Sequence, residues 1–476
     1  MSRILMVTPE AAPFAKTGGL ADVLGALPRA LAALDEEVVV VLPRYRSAMI
    51  YASERIWHAM PITMGPHQYI VAIDQVLVPA EGRKDRYVRY MFVDCPPLYG
   101  RSGVYGERGA DYPDNYLRFG LLNQAAIGIG REIFRPHVFH GHDWPAGLLG
   151  PYLRETFKSD PTFFGAKIVL TLHNVGYQGN FSAAAATDLG LDARLLHPEG
   201  AEFWGHLSFL KSGIVWADAI TTVSPTYAKE IQTSEYGYGL EGLLRQRSSR
   251  VTGVLNGADY EEWNPAIDPH IAANFSSADT SGKWLVKKAL LEEFNLPVKK
   301  SRPLIGVVSR FVNQKGFDLL RPIATDLVAQ DFTLVALGSG EESVEQIFRD
   351  LARAHPAHFA VQIGYDHALS HRIFAGSDMF LMPSRYEPCG LGQIYAMRYG
   401  SVPIVRATGG LDDTVDDSTG FKFRNHTPGE LLGAIRSALT AWKNRELWQE
   451  RVLRCMAQDF SWDASALEYQ KLYRRL

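Results

Sequence analysis

Arg310 and Lys315 stand in one short segment, Ser309-Arg310-Phe311-Val312-Asn313-Gln314-Lys315-Gly316, directly after an apolar run. Fixed cations in such a loop stabilise the negative charge that develops as a diphosphate leaves. One contact of this kind is worth ~3–4 kcal/mol in a transition state. A plain solvated basic loop would carry the same residues. Further along, Tyr386-Glu387-Pro388-Cys389-Gly390-Leu391-Gly392-Gln393 follows another apolar run and opens a helical pattern. Pro388 pins the turn, Gly390 permits close backbone approach, and a helix start offers N–H groups to an anion. Glu387 would repel a diphosphate there. It suits a sugar, whose hydroxyls it can bond or whose positive anomeric centre it can steady.

Other segments carry weaker signals. Lys16-Thr17-Gly18-Gly19-Leu20 combines two glycines, a cation and a helix start, which fits either a phosphate or an ordinary glycine turn. It matches neither a dinucleotide fingerprint nor a Walker A loop. His140-Gly141-His142-Asp143-Trp144 could suggest a metal, but lacks a further ligand cluster, and capping of a helix by Asp143 beside a packed Trp144 accounts for it. His173-Asn174 is a polar pair at the tip of an apolar strand, placed for a ligand or held as a structural histidine. Gly338-Ser339-Gly340 and Gly364-Tyr365 each follow a strand and could line a nucleotide pocket, with Tyr365 as a stacking surface. Thr408-Gly409-Gly410-Leu411 is a further glycine turn.

The elements that position these groups alternate regularly. Continuous apolar runs predict strands at about 3–8, 37–42, 88–94, 136–141, 167–173 and 219–223, then at 303–309, 332–337, 359–363, 379–382 and 402–406. Such runs mark parallel strands covered on both faces. Leu20, Val23, Leu24, Leu27, Leu31 and Leu34 form one helical stripe, interrupted by Pro28. Helices also read at 114–127, 205–216, 341–354, 366–375, 390–400, 428–443, 446–456 and 462–476. Two strand–helix series predict two doubly wound α/β domains, and ligands of such sheets bind beyond the carboxyl ends of the strands. The motifs above all follow strands, which places the expected site in a cleft between the domains.

The totals exclude several classes. Among 476 residues, 46% are hydrophobic, 21% are charged, and the net charge is -3. That balance argues against broad nucleic-acid binding. Three scattered cysteines, Cys95, Cys389 and Cys455, argue against a disulfide framework and a zinc site, and fit a reducing cytoplasm. No apolar run is long enough to span a membrane, and none forms a signal-peptide core.

Taken in order, Lys16-Thr17-Gly18-Gly19-Leu20, His142-Asp143-Trp144, His173-Asn174, Ser309-Arg310 with Lys315-Gly316, Glu387 to Leu391, and Gly409-Gly410-Leu411 with Asp413-Thr414-Val415 resemble the bacterial glycogen synthase and plant starch synthase family. The resemblance implies a GT-B fold of two Rossmann-like doubly wound parallel-sheet domains. Residues 1–245, rejoined by a helix at 461–476, would form the acceptor-side domain, and 246–460 the nucleotide-sugar domain. The implied reaction moves glucose from ADP-glucose to the 4-hydroxyl at the non-reducing end of an α-1,4-glucan, with retention and without a metal or other cofactor. By position, Arg310 and Lys315 would hold the diphosphate, Glu387 the glucosyl unit, and His173 its 6-hydroxyl side. Lys16, Gly18, Gly19, Asn174, Gly340, Tyr365, Cys389, Gly390, Leu391 and Gly392 would line the donor pocket. Related retaining transferases often place a second glutamate where this chain has Tyr395, and many relatives carry a larger residue at Gly392.

Overall fold

The computed structural model describes all residues from Met1 to Leu476. They group into two compact units. The first holds Met1–Val223, Ala228–Gly257 and Trp462–Leu476; the second holds Ser224–Tyr227 and Ala258–Ser461. The boundary expected at 245/246 falls inside the helix Glu241–Gln246, whereas the units divide at Gly257 and Ala258. The intervening residues Val251–Gly253 add a strand to the first sheet, which carries the chain onward before it leaves that unit.

The first unit is built on nine strands in the order Val251–Gly253, Ala219–Thr222, Lys167–Leu172, Val138–His142, Arg3–Val7, Glu37–Pro43, Arg83–Asp94, His67–Ala80 and Glu54–Met64. The central pairs are parallel. Alternation within each apolar run supplies two cores. Leu5, Val7, Val39 and Val41 enter one cluster, while Ile4, Met6, Val38, Val40 and Leu42 enter the other. The second face is covered by the helix Gly19–Ala33, which continues through Pro28, and by the helix Trp462–Arg475. Tyr473 bonds His140 at 2.8 Å, Gln470 bonds Glu36 at 2.9 Å, and Ser465 bonds the Leu255 carbonyl at 2.6 Å.

One edge of this sheet departs from the sequence reading. Glu54–Met64 and His67–Ala80 form an antiparallel hairpin that pairs with Arg83–Asp94, so the sheet is mixed. No continuous apolar run marks this hairpin, because its strands are exposed on one face along much of their length. The segment at 205–216 also splits: His206–Ser208 is a strand, and Ser208 caps the helix Phe209–Trp216 by accepting from the Lys211 amide.

The second unit has a six-stranded parallel sheet in the order Phe359–Ile363, Thr333–Gly338, Leu304–Val308, Met379–Met382, Val402–Arg406 and Phe421–Phe423. The same alternation sends Ile305, Val307, Leu334 and Ala336 to one core and Leu304, Val335 and Leu337 to the other. Helices Glu342–Ala354, His367–Gly376, Pro428–Trp442 and Arg445–Met456 lie close to their expected limits. The helix expected at 390–400 spans Gly392–Arg398, since Gly390 has φ of 73° and cannot continue a helical turn. The helix Ser281–Glu293 lies outside the helices expected from the sequence.

Candidate active site

In the second unit the loop after Leu304–Val308 and the loop after Met379–Met382 meet. Lys315 Nζ lies 2.6 Å from Glu387 Oε2, and both side chains are largely buried. Ser384 Oγ donates to the same carboxylate oxygen at 3.0 Å. Glu387 Oε1 makes no hydrogen bond within the protein, which leaves one acceptor of a charge-neutralised carboxylate for a ligand hydroxyl. Arg310 is exposed and makes no ion pair, with one long contact to Gln314 at 3.5 Å. Gln314 ties the two loops together: its carbonyl accepts from the Arg385 amide at 2.8 Å, and its side chain donates to the Tyr386 carbonyl at 3.3 Å.

The turn carrying Glu387 is held from below. Gln393, fully buried, donates to the carbonyls of Cys389 and Gly390 at 3.2 and 2.9 Å and approaches Thr414 Oγ1 at 3.1 Å. The Gly410 amide donates to the Glu387 carbonyl at 3.1 Å. A Cβ on Gly409 would sit 2.0 Å from the Glu387 carbonyl oxygen, and one on Gly410 would sit 1.9 Å from that of Cys389. The glycine pair therefore serves close packing of backbone on backbone. Cys389 is buried in that packing. Leu391 stands just before the helix without a side-chain bond to its free amides, and a Cβ on Gly392 would lie 3.3 Å from Met382 Sδ, so a larger residue there requires Met382 to shift.

Tyr395 has a structural role that the sequence does not disclose. Trp263 stacks on Tyr395 at 4.2 Å and on His371 at 3.9 Å, with interplanar angles of 11° in both cases. An acid at this position would lose the stack. Gly340 is exposed, and its backbone lies against Phe311, where a Cβ would be 2.4 Å from the Phe311 carbonyl. Tyr365 is 85% exposed, an open aromatic face.

In the first unit the turn expected to take an anion is partly filled by the chain itself. The Glu10 carboxylate accepts from the Thr17 amide at 2.6 Å, the Thr17 hydroxyl at 2.9 Å and the Gly18 amide at 3.3 Å, and from Tyr105 at 3.1 Å. Burial raises the Glu10 carboxyl above its ordinary value, opposed by these hydrogen bonds. Lys16 pairs with Asp22 at 2.6 Å. The Thr17 and Gly18 amides are thus engaged, because a buried carboxylate seven residues before Thr17 folds back onto them. Around Gly18 and Gly19 nothing lies within 4 Å of a built Cβ. Their lack of a side chain is not demanded by packing, unlike that of Gly409 and Gly410.

His173 and Asn174 follow the strand Lys167–Leu172, and Asp143 Oδ1 accepts from both of their amides, at 2.7 and 3.4 Å. Asp143 therefore does not cap the short turn Trp144–Ala146 with its side chain, as the sequence suggested. Trp144 packs edge-on against Phe119 at 4.9 Å. His142 Nδ1 lies 3.1 Å from His173 Nε2, and His140 bonds Tyr473 and Thr171. Burial lowers His140 and His173 to about 3 and raises Asp143 to about 7. His173 is accordingly neutral near pH 7 and able to hydrogen-bond a hydroxyl without adding charge.

These shifts contribute to the acid stability. The unfolded chain protonates histidine below about 6.5, while folded His140 and His173 resist protonation down to about 3. Stability falls as pH drops through that window, by about 1.4 kcal/mol per pH unit for the fully buried His140. Asp143 acts oppositely: its folded carboxyl keeps a proton up to about 7, so it costs stability as pH rises from 3.8. Burial also holds His142 far below its ordinary value, so three histidines oppose the two raised carboxyls of Asp143 and Glu10, and denaturant midpoints are expected to decrease from pH 6.5 to pH 4. His140→Gln should flatten that slope, and an unchanged slope would exclude His140 as its source.

Comparison with known proteins places this arrangement. Residues 3–246 match the family model described as the starch synthase catalytic domain, and residues 291–453 match glycosyl transferases group 1. The chain is 45% identical to glycogen synthase of Koribacter versatilis over 479 aligned residues, covering 99% of this chain and 98% of that one. It is 46% identical to glycogen synthase of Anaeromyxobacter sp. (strain Fw109-5), covering 99% of both. The chain belongs to the bacterial glycogen synthase family. Glycogen synthases are glycosyltransferases that elongate glycogen by glucosyl units. Among solved structures, this glycogen synthase family member is similar to the catalytic domain of Starch Synthase IV from Arabidopsis thaliana, bound to ADP and acarbose. The TM-score is 0.88 at 33% identity, over 100% of this chain and 99% of that one. Sucrose-phosphate synthase from Thermosynechococcus elongatus shares the fold, with a TM-score of 0.60 at 18% identity and coverage of 100% and 99%. The GT-B fold of two Rossmann-like units follows. No helix is long and apolar enough to cross a membrane.

Proposed function

We propose that this chain transfers glucose from ADP-glucose to the 4-hydroxyl at the non-reducing end of an α-1,4-glucan, with retention of configuration and in the cytoplasm. The observation that carries the reading is the buried Lys315–Glu387 pair, whose carboxylate keeps one oxygen without a hydrogen bond, with Arg310, which makes no ion pair, on the same loop as Lys315. Arg310 and Lys315 hold the diphosphate, and Glu387 Oε1 faces the glucosyl unit. His173 contacts the 6-hydroxyl side, with Asn174 beside it. Gly340, Tyr365, Cys389, Gly390, Leu391 and Gly392 line the donor pocket, Tyr365 through its open ring. In the first unit, Lys16, Gly18 and Gly19 serve phosphate or sugar oxygens.

The chemistry is a front-face displacement. The C1–oxygen bond to the diphosphate breaks, and the glucan 4-oxygen bonds C1 on the same face. The hydroxyl proton passes to the departing diphosphate. Double displacement uses two carboxylates; Tyr395, locked against Trp263, supplies none at the position where relatives often have one. No metal or other cofactor is used in this scheme. A covalent glucosyl adduct trapped on Glu387 would overturn it.

The decisive assay follows labelled glucose from ADP-glucose and from UDP-glucose into glycogen. Incorporation from ADP-glucose that depends on glycogen is expected. Nucleotide release independent of glycogen, or preference for UDP-glucose, would reject the assignment. Gly18→Ala provides a narrower check. Its extended backbone, with φ of -160°, accepts alanine, and no neighbour obstructs the methyl group. The KM for the sugar nucleotide is expected to rise roughly tenfold, a loss of about 1.4 kcal/mol, with unfolding unchanged. An unchanged KM would show that no ligand approaches Gly18.

A further inference from the structure

The second unit holds a histidine cluster that the transfer reaction does not use. His367 and His371 stand one turn apart on the helix His367–Gly376, and His270 lies on the preceding loop segment. One ring nitrogen from each lies within 4.8 Å of the others. Residues four apart on a helix share a face, which is how paired histidines commonly reach one ion.

His371 gives the cluster its direction. Its Nδ1 is 2.8 Å from Asp268 Oδ2, and both side chains are buried. A carboxylate can only accept, so Nδ1 carries the proton and Nε2 presents a lone pair. Nε2 is buried and has no hydrogen-bond partner. An acceptor stranded in this way costs about 1–3 kcal/mol. Trp263 stacks on the ring and fixes its plane, and Asp268 is itself held by Tyr399 and by the His270 amide at 2.8 Å. A carboxylate that orients a histidine and raises its basicity is the usual outer support of a metal-bound imidazole. Glu262 Oε1 lies 3.2 Å from His367 Nε2 and would supply the fourth ligand, an oxygen, by moving toward the three nitrogens.

We propose that His270, His367 and His371 form a binding site for a divalent cation of the zinc class, with Glu262 at the fourth position and Asp268 as the supporting carboxylate. Tetrahedral zinc with bonds of about 2.0–2.1 Å brings its nitrogen ligands to about 3.4 Å from one another. The movement required falls on His270 and His367, neither of which is buried, rather than on the fixed, buried His371. Three imidazoles favour zinc, cobalt or nickel over magnesium or calcium. The ion would clip the loop bearing His270 to the helix bearing His367, and so tighten the column of His371, Trp263 and Tyr395.

The test uses the untagged full chain, stripped with a chelator and titrated with Co2+ and then Zn2+. Tetrahedral visible bands are expected at about one Co2+ per chain, displaced by Zn2+. The first unfolding midpoint should rise by a few degrees with metal. His270→Gln combined with His367→Gln should abolish the bands and the rise, while leaving the metal-free midpoint and glucosyl transfer unchanged. Asp268→Asn should weaken binding by roughly 10–100-fold. Absence of Co2+ bands in the unmodified chain, or bands that survive the double substitution, would overturn the site without touching the assigned transferase activity.

Discussion

Lys315→Ala is expected to lower kcat by roughly 10²–10³-fold, the loss typical of one donor to a developing negative charge. The same substitution should also weaken the fold, by about 3–5 kcal/mol, because it strands a buried carboxylate. The cause is the geometry of the pair: Lys315 Nζ is 2.6 Å from Glu387 Oε2, and Glu387 is only 6% exposed. Two comparisons separate the effects. Arg310 has no ion pair, so Arg310→Ala should reduce kcat with little change in unfolding. Combining Lys315→Ala with Glu387→Gln should recover stability while activity stays low. Saturating kinetics and denaturant midpoints give both readouts, and an unchanged kcat in folded Lys315→Ala would remove the lysine from the reaction.

Glu387→Gln should lower kcat by roughly 10²-fold or more while leaving the KM for the donor far less changed, the pattern of a group that acts mainly in the transition state. The amide oxygen can still accept from Ser384 and Lys315, so the turn keeps its hydrogen bonds. What disappears is the negative charge that we propose faces the glucosyl unit. Glu387→Ala, which also removes the acceptor, should be at least as inactive and less stable. Activity near the original level in Glu387→Gln would mean that the carboxylate charge is not needed.

The central strands were readable in the sequence because burial on both faces writes an unbroken apolar run, as in Ile4 to Val7 and Leu304 to Val307. The hairpin Glu54–Ala80 was not, since exposure on one side interrupts that run. Arg310, Lys315 and Glu387 could be picked out by type and by position after a strand. Their pairing could not, because it depends on how two loops 72 positions apart converge. Glu10, Ser384 and Gln393 act from ordinary-looking positions; only the folded chain shows Glu10 filling the Thr17–Gly18 amides. Glu10 had one available signal, an acid at the tip of an apolar strand just before the glycine turn. Tyr395 read as a missing acid until Trp263, far away in sequence, supplied the stack that explains it.

The helix Trp462–Arg475 has a consequence for synthesis. It inserts Trp462, Ala466, Tyr469, Leu472 and Tyr473 into the same cluster as Ile4, Met6, Leu24, Leu27 and Val40. Domains generally begin to fold as they leave the ribosome. Here the first unit can gather its sheet early and lay the helix Gly19–Ala33 on it, yet part of that face stays uncovered until the whole second unit has been translated. The nascent chain must carry that greasy surface through the interval, which marks residues 1–257 as a natural client for chaperones.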